Sequence, residues 1–93
     1  MKSQLAELQK KGWHLEENHL VKTFTFDNFR KINKFLPKII DLIVKNNHHP
    51  QLHFSPNNKS VHIELTTYDQ GKKVTEKDCL LAISFEKVYE EVF

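Results

Sequence analysis

An α+β domain, a four-stranded antiparallel sheet with three helices packed on one face, is the fold that this chain of 93 residues predicts. Segments with apolar residues every three or four positions stand at both ends and in the middle, the mark of helices with one buried stripe. Two pairs of short alternating segments separate them, giving the order α-β-β-α-β-β-α. The composition agrees. Hydrophobic residues are 39% and charged residues 28%, with 2 Gly and 3 Pro, which describes an ordinary globular chain and not a disordered or collagen-like one. Residues 1–93 make a single domain with one core, enough for one site but too little for a separate substrate domain.

Ser3–Lys11 reads as the first helix: Leu5 and Leu8 share a face, Ser3 can cap the start and Gly12 can end it. Trp13 follows as a core anchor. Trp13–Glu16 and His19–Phe26 read as strands joined at Glu17-Asn18, a turn without the glycine that tight hairpins favour. Leu20, Phe24 and Phe26 share one face, Thr23 and Thr25 the other, and Lys22 interrupts the apolar side. Asp27 or Asn28 can cap the long middle helix. Phe29, Ile32, Phe35, Leu36, Ile39, Ile40 and Ile43 form its broad apolar stripe, with Lys31, Lys34, Lys38 and Asp41 on the wet side. Pro37 lies inside it and predicts a kink, not two helices. Asn46-Asn47 ends the segment.

Pro50–Ser55 and Ser60–Thr67 form the second strand pair around the turn residues Pro56-Asn57-Asn58-Lys59. Val61, Ile63 and Leu65 alternate with His62, Glu64 and Thr66, as in a half-buried strand. Tyr68 to Lys73 reads as a loop. Thr75 opens the last helix with Asp78 three residues on, a variant of the capping box, and Leu81, Phe85, Val88 and Val92 form its stripe. A small sheet with an open face and free edges favours pairing with another copy.

Charge and cysteine content exclude several classes of function. Lys+Arg is 14 against 12 Asp+Glu, and the lysines are interleaved with acids, so the concentrated basic face that nucleic acid requires is absent. The lone Cys79 excludes an internal disulfide and a multi-thiolate metal site, and it reads as a packing residue. No apolar run approaches the roughly 18–20 residues that cross a bilayer, and the N-terminus lacks a secretory apolar core. No membrane association and a reducing, cytoplasmic setting are the expectation. Two glycines leave no phosphate-cradling loop, and no Gly-flanked nucleophile suggests acyl transfer.

Six histidines make imidazole the place to look for chemistry. His48-His49-Pro50 stands where the middle helix hands over to a strand, and Pro50 restricts His49 to extended geometry. Two adjacent imidazoles facing one cleft suit a reaction that takes in one proton and gives out another, such as a dehydration. The plainer alternative is two solvated histidines at a helix C-terminus, where a protonated ring meets the negative end of the dipole. A zinc set from His48, His49, His53 and His62 lacks cysteine and lacks the usual helical spacing, so no metal is expected. His14 and His19 have no evident role.

The succession Leu5…Leu8…Gly12-Trp13, Phe24-Thr25-Phe26-Asp27-Asn28-Phe29, Asn47-His48-His49-Pro50, Val61-His62-Ile63-Glu64-Leu65-Thr66-Thr67 and Asp69…Gly71…Thr75-Glu76-Lys77-Asp78…Leu81-Ala82 resembles the pterin-4a-carbinolamine dehydratases. That family is also known as the dimerisation cofactor of a homeodomain transcription factor. The resemblance covers almost the whole chain. It implies a hydro-lyase that dehydrates 4a-hydroxytetrahydropterin to quinonoid dihydropterin, with no cofactor or metal. By the same resemblance His48 is the general acid/base and His49 contacts substrate and handles a proton. Pro50 shapes the pocket floor, Thr67, Tyr68, Asp69 and Gln70 line the opposite wall, and Asp78 stands near the site. A homodimer or homotetramer is implied, and the transcription-cofactor members suggest a protein partner.

Departures from the family pattern bear on activity. Tyr68 stands where a third histidine is usual, and a phenol is a poor base at neutral pH. Val44 replaces an acid four residues before His48, the loop reads Gly71-Lys72-Lys73-Val74 with one residue extra, and the hairpin at Pro56-Asn57-Asn58 lacks the usual aromatic. Two readings follow: a dehydratase slower than three-histidine relatives, in which Tyr68 takes the third catalytic place, or a weakly active or non-catalytic binding module of the same fold, whether a dimerisation or transcription cofactor or a molybdopterin-related protein.

Overall fold

The computed structural model describes residues 1–93, the side chain of Gln70 excepted. In chain order it contains α1 (Lys2–Lys10), β1 (His14–Glu16), β2 (His19–Thr25), α2 (Phe29–Asn46), β3 (Gln51–Ser55), β4 (Ser60–Leu65), a short 3-10 turn (Tyr68–Gln70) and α3 (Glu76–Val92). The strands form one sheet in the order β1-β2-β4-β3, and every neighbouring pair is antiparallel. All three helices bury their apolar sides against one face: Leu8 of α1, Ile32, Phe35 and Ile39 of α2, and Leu81 and Phe85 of α3 join Leu20, Phe24, Val61, Ile63 and Leu65 of the sheet in a single core. This is the predicted architecture. Among the described residues no helix is long and apolar enough to cross a membrane.

Element ends differ from the sequence reading where a backbone group finds a partner outside the ladder. Trp13, buried as expected, sends its N–H to the Leu8 carbonyl at 3.0 Å and so closes α1 instead of starting β1. Thr66 leaves β4 because its hydroxyl donates to the Asn18 carbonyl at 2.6 Å, and Thr67 forms an isolated bridge with Lys73. Ser3 is not the cap of α1. The helix begins two residues earlier than a Ser3 cap would allow, with Met1 at its head and no side-chain cap. The Glu17-Asn18 turn forms without glycine because Glu17 itself adopts a left-handed backbone, φ 56°, with Thr66 tying down the next carbonyl. Asn28, not Asp27, caps α2, its side chain accepting from the Lys31 N–H at 3.0 Å.

Helix α2 runs unbroken through Pro37. Its buried stripe is narrower than the sequence suggests. Phe29 and Ile40 are each 52% exposed. At about 100° per residue they lie roughly 60–80° round the helix from Ile32, beyond the line where α2 meets the sheet and α3. Together with Val44, 71% exposed, they leave an apolar strip facing outward.

Lys22, the residue that breaks the apolar face of β2, is accommodated by a buried polar knot. Its Nζ lies 2.5 Å from Glu86 Oε2 and 2.6 Å from the Lys11 carbonyl, and 4.5 Å from the centre of the Phe24 ring. The Trp13 indole N–H donates to the same Glu86 oxygen at 2.9 Å. One carboxylate therefore joins α1's exit, β2 and α3. Glu86→Ala leaves a mostly buried ammonium without its counter-charge, and the expected loss is on the order of 3 kcal/mol in urea unfolding. Lys22→Met combined with Glu86→Gln, which keeps an acceptor for Trp13, should recover at least half of that. A single variant that unfolds at the wild-type midpoint would mean the knot is peripheral to stability.

Candidate functional site

The site forms where the end of α2, the end of β4 and the start of α3 converge. Asn47 takes a left-handed backbone (φ 49°, ψ 41°) and its N–H reaches the Val44 carbonyl, which stops α2 and turns the chain toward β3. His48 is the next residue. Its side chain is only 14% exposed, and its Nε2 lies 2.5 Å from Asp78 Oδ1.

Asp78 occupies the third position of α3 and is fully buried. It closes the capping box. Its Oδ2 accepts the Thr75 N–H at 2.8 Å and the Thr67 hydroxyl at 2.8 Å, and the Thr67 and Thr75 hydroxyls meet at 2.7 Å. These donors engage Oδ2 and leave Oδ1 to His48. A carboxylate can only accept, so the bond to Asp78 places a proton on His48 Nε2 and leaves Nδ1 as the nitrogen open to exchange. A carboxylate held this way fixes the ring and offsets its positive charge when a second proton arrives.

An open cleft of about 260 Å³ lies against this pair, bordered by His48 and His49 on one side and by Thr67, Tyr68 and Asp69 on the other. Asn47, Thr66 and Lys77 complete its lining. The volume lies just below the usual range for small-molecule pockets, about 300–1,000 Å³. Five of the residues singled out from sequence thus come together. Pro50 is half-buried and does not line the cleft. Asp78 stands behind His48 and does not reach the cleft surface, so its effect on a ligand passes through the imidazole. The side chain of Gln70 lies outside the described residues. Lys77 was not singled out from sequence: it sits one residue before the cap partner Asp78, and nothing in the local pattern separates it from any other solvated lysine.

The remaining candidates lie elsewhere. His53 and His62 are direct cross-strand partners on the sheet face opposite the helices, where His62 Nδ1 meets the Thr23 hydroxyl at 2.7 Å and its Nε2 meets Glu64 Oε2 at 3.0 Å. The sheet therefore separates the two halves of the four-histidine set. Among the described residues no three His, Cys, Asp or Glu side chains converge as a metal ion would require. Cys79 is fully buried, and its thiol is pushed up first by burial and then by the neighbouring Asp78 charge. Both effects disfavour the thiolate, so it packs in the core and does not act as a nucleophile.

Comparison with known proteins bears on what such a cleft is for. The family model described as pterin 4 alpha carbinolamine dehydratase matches residues 1–88. A Sulfolobus acidocaldarius protein is 40% identical over 88 residues, covering 95% of this chain and 91% of its own. An Opitutus terrae protein is 39% identical over 84 residues, covering 90% and 82%. Both carry the name "Putative pterin-4-alpha-carbinolamine dehydratase". Among solved structures, a transcriptional coactivator/pterin dehydratase from Brucella melitensis superposes with a TM-score of 0.78 over 96% of each chain at 22% identity. A pterin dehydratase-like protein identified as a RuBisCO assembly factor in the alpha-carboxysome superposes with a TM-score of 0.69 over 84% of this chain and 89% of its own at 21% identity. At those identities the two structures speak for the fold. The match of the family model over nearly all of the sequence, with relatives near 40% identity along its length, means that the chain belongs to the pterin-4a-carbinolamine dehydratase family.

Proposed function

We propose that the protein is a hydro-lyase that removes water from a 4a-hydroxytetrahydropterin to give the quinonoid dihydropterin. The observation that carries this reading is the Asp78-held His48 beside His49 at one small cleft. In the reaction the C4a–O bond breaks, the departing hydroxyl takes a proton and leaves as water, and the N5–H proton is lost as the C4a=N5 bond forms. The net change in protons is zero. An imidazole next to each of those two atoms can give the first proton and accept the second. His48 acts as general acid/base through Nδ1, His49 contacts substrate and handles the other proton, and Asp78 positions His48. The Thr67 to Asp69 segment faces them as the opposite wall, and Tyr68 supplies a hydroxyl donor where relatives carry imidazole. No metal or organic cofactor enters these steps.

The outward strip of Phe29, Ile40 and Val44 on α2 supports assembly of copies into a dimer or tetramer, because soluble chains seldom leave such strips bare. A second reading, a weakly active or non-catalytic binding module, is favoured by one observation: Tyr68, 56% exposed, in place of the third imidazole.

Two measurements decide between them. In a stopped-flow dehydration assay His48→Ala is expected to lower turnover by at least about 10²-fold, the low end for loss of an acid/base group. Unchanged turnover would remove His48 from the mechanism. Tyr68→His should raise turnover by about tenfold or more, whereas Tyr68→Phe should lower it modestly by deleting a donor. A wild-type rate equal to the uncatalysed one, together with no gain in Tyr68→His, would favour the binding module.

A further inference from the structure

We propose that the site takes a pterin whose C6 substituent carries an anionic group, a carboxylate or a phosphate monoester, and that Lys77 selects it. This rests on the dehydratase reading and adds the class of substrate. His48 stands on a ridge between two hollows. On one side is the cleft of about 260 Å³ that holds His49, Tyr68 and Asp69. On the other a second cleft of about 270 Å³ opens between α2 and α3, with Leu80 and Leu81 as its apolar floor and Asn46 and Ser84 at its rim. His48 and Lys77 are the two residues common to both.

The chemistry of the ring sets which way a pterin lies. Its pyrimidine end presents an amino group and a ring N–H, donors that suit the Asp69 carboxylate, which borders only the first cleft. C6 is at the other end and is bonded to N5. A residue that exchanges protons at N5 or at the 4a-hydroxyl therefore borders the C6 substituent. With the donor edge toward Asp69 and N5 beside His48, the substituent crosses the ridge into the second cleft.

The other polar groups at that rim are uncharged. Asn46 Nδ2 gives one of its two N–H groups to the Leu42 carbonyl at 2.8 Å, and the Ser84 hydroxyl donates to the Leu80 carbonyl at 3.1 Å. The Lys77 ammonium is the one full positive charge there that attracts an anion whatever the protonation of His48. None of the ion pairs among the described residues uses Lys77. Its charge is open to a ligand lying across the ridge.

The test is a titration by pterin fluorescence with three probes: 6-hydroxymethylpterin, its phosphate monoester, and pterin-6-carboxylate. The full chain is compared with Lys77→Gln and Lys77→Arg, each checked for native circular dichroism; Lys77 is exposed, so both should fold. At low salt at least one anionic probe is expected to bind about fivefold tighter than the neutral parent, the upper end of what an exposed ion pair supplies. The arm with the larger gain identifies phosphate or carboxylate. The preference should shrink with added salt, vanish in Lys77→Gln and persist in Lys77→Arg. Equal binding of all three probes, or a preference that survives Lys77→Gln, overturns the inference while leaving the dehydratase reading in place. Failure of even the neutral pterin to bind overturns both.

Discussion

The buried carboxylate of Asp78 is the constraint on which the site depends. It is fully withdrawn from water, and an isolated charge in that position would be costly. Its partners make the position tenable, and each comes from a different part of the chain. Thr75 starts α3, Thr67 ends the path out of β4, and His48 follows α2. The same bonds that satisfy the charge therefore fix three chain segments relative to one another, and the wall of the cleft is built from those segments. The capping of a helix and the orientation of an imidazole are here one network. Losing any member loosens the site as well as the helix start, because a buried network left half satisfied is worse than an apolar one.

Glu86 plays the corresponding part just past the middle of α3. It anchors Trp13 and Lys22 as Asp78 anchors Thr67 and His48. The first two-thirds of the helix is thus held by two buried acids about two turns apart, with Leu81, Ala82 and Phe85 packed between them. The seating of α3 fixes where Asp78, Lys77 and the floor of the second cleft stand, because all ride on it.

Much of this was legible in the sequence, and the rest had physical reasons not to be. The alternation Val61, Ile63, Leu65 and the three- and four-residue spacing in α2 and α3 announce which faces turn inward, since burial against a sheet leaves that period in any chain. Lys22 reads as a defect in β2, because its partner Glu86 lies 64 residues away and only folding brings them together. Asp78 is visible as a cap, a local feature, whereas its bond to His48 spans 30 residues and leaves no local trace. Phe29 and Ile40 look like core residues because period tells which side of a helix is apolar, and not how far round it the neighbouring elements reach. Lys77 is a lysine among lysines until the fold sets it on the ridge between two hollows.

The distribution of histidine shows how folding narrows a broad chemical signal. Six imidazoles in one short chain admit a metal set, a pH-sensitive surface or a proton-transfer pair. The sheet divides them. His53 and His62 face away from the helices and engage cross-strand neighbours, while His48 and His49 sit at the helix-side cleft. Of these, His48 alone is both nearly buried and held by a carboxylate whose other oxygen is engaged by further donors. That combination leaves one ring nitrogen oriented and unencumbered beside a space for a ligand. His49, exposed, lacks such a hold, and the opposite wall offers a phenol and not a third imidazole. In the proposed dehydration His48 is therefore the better positioned of the two proton-transferring rings, because Asp78 holds it in place.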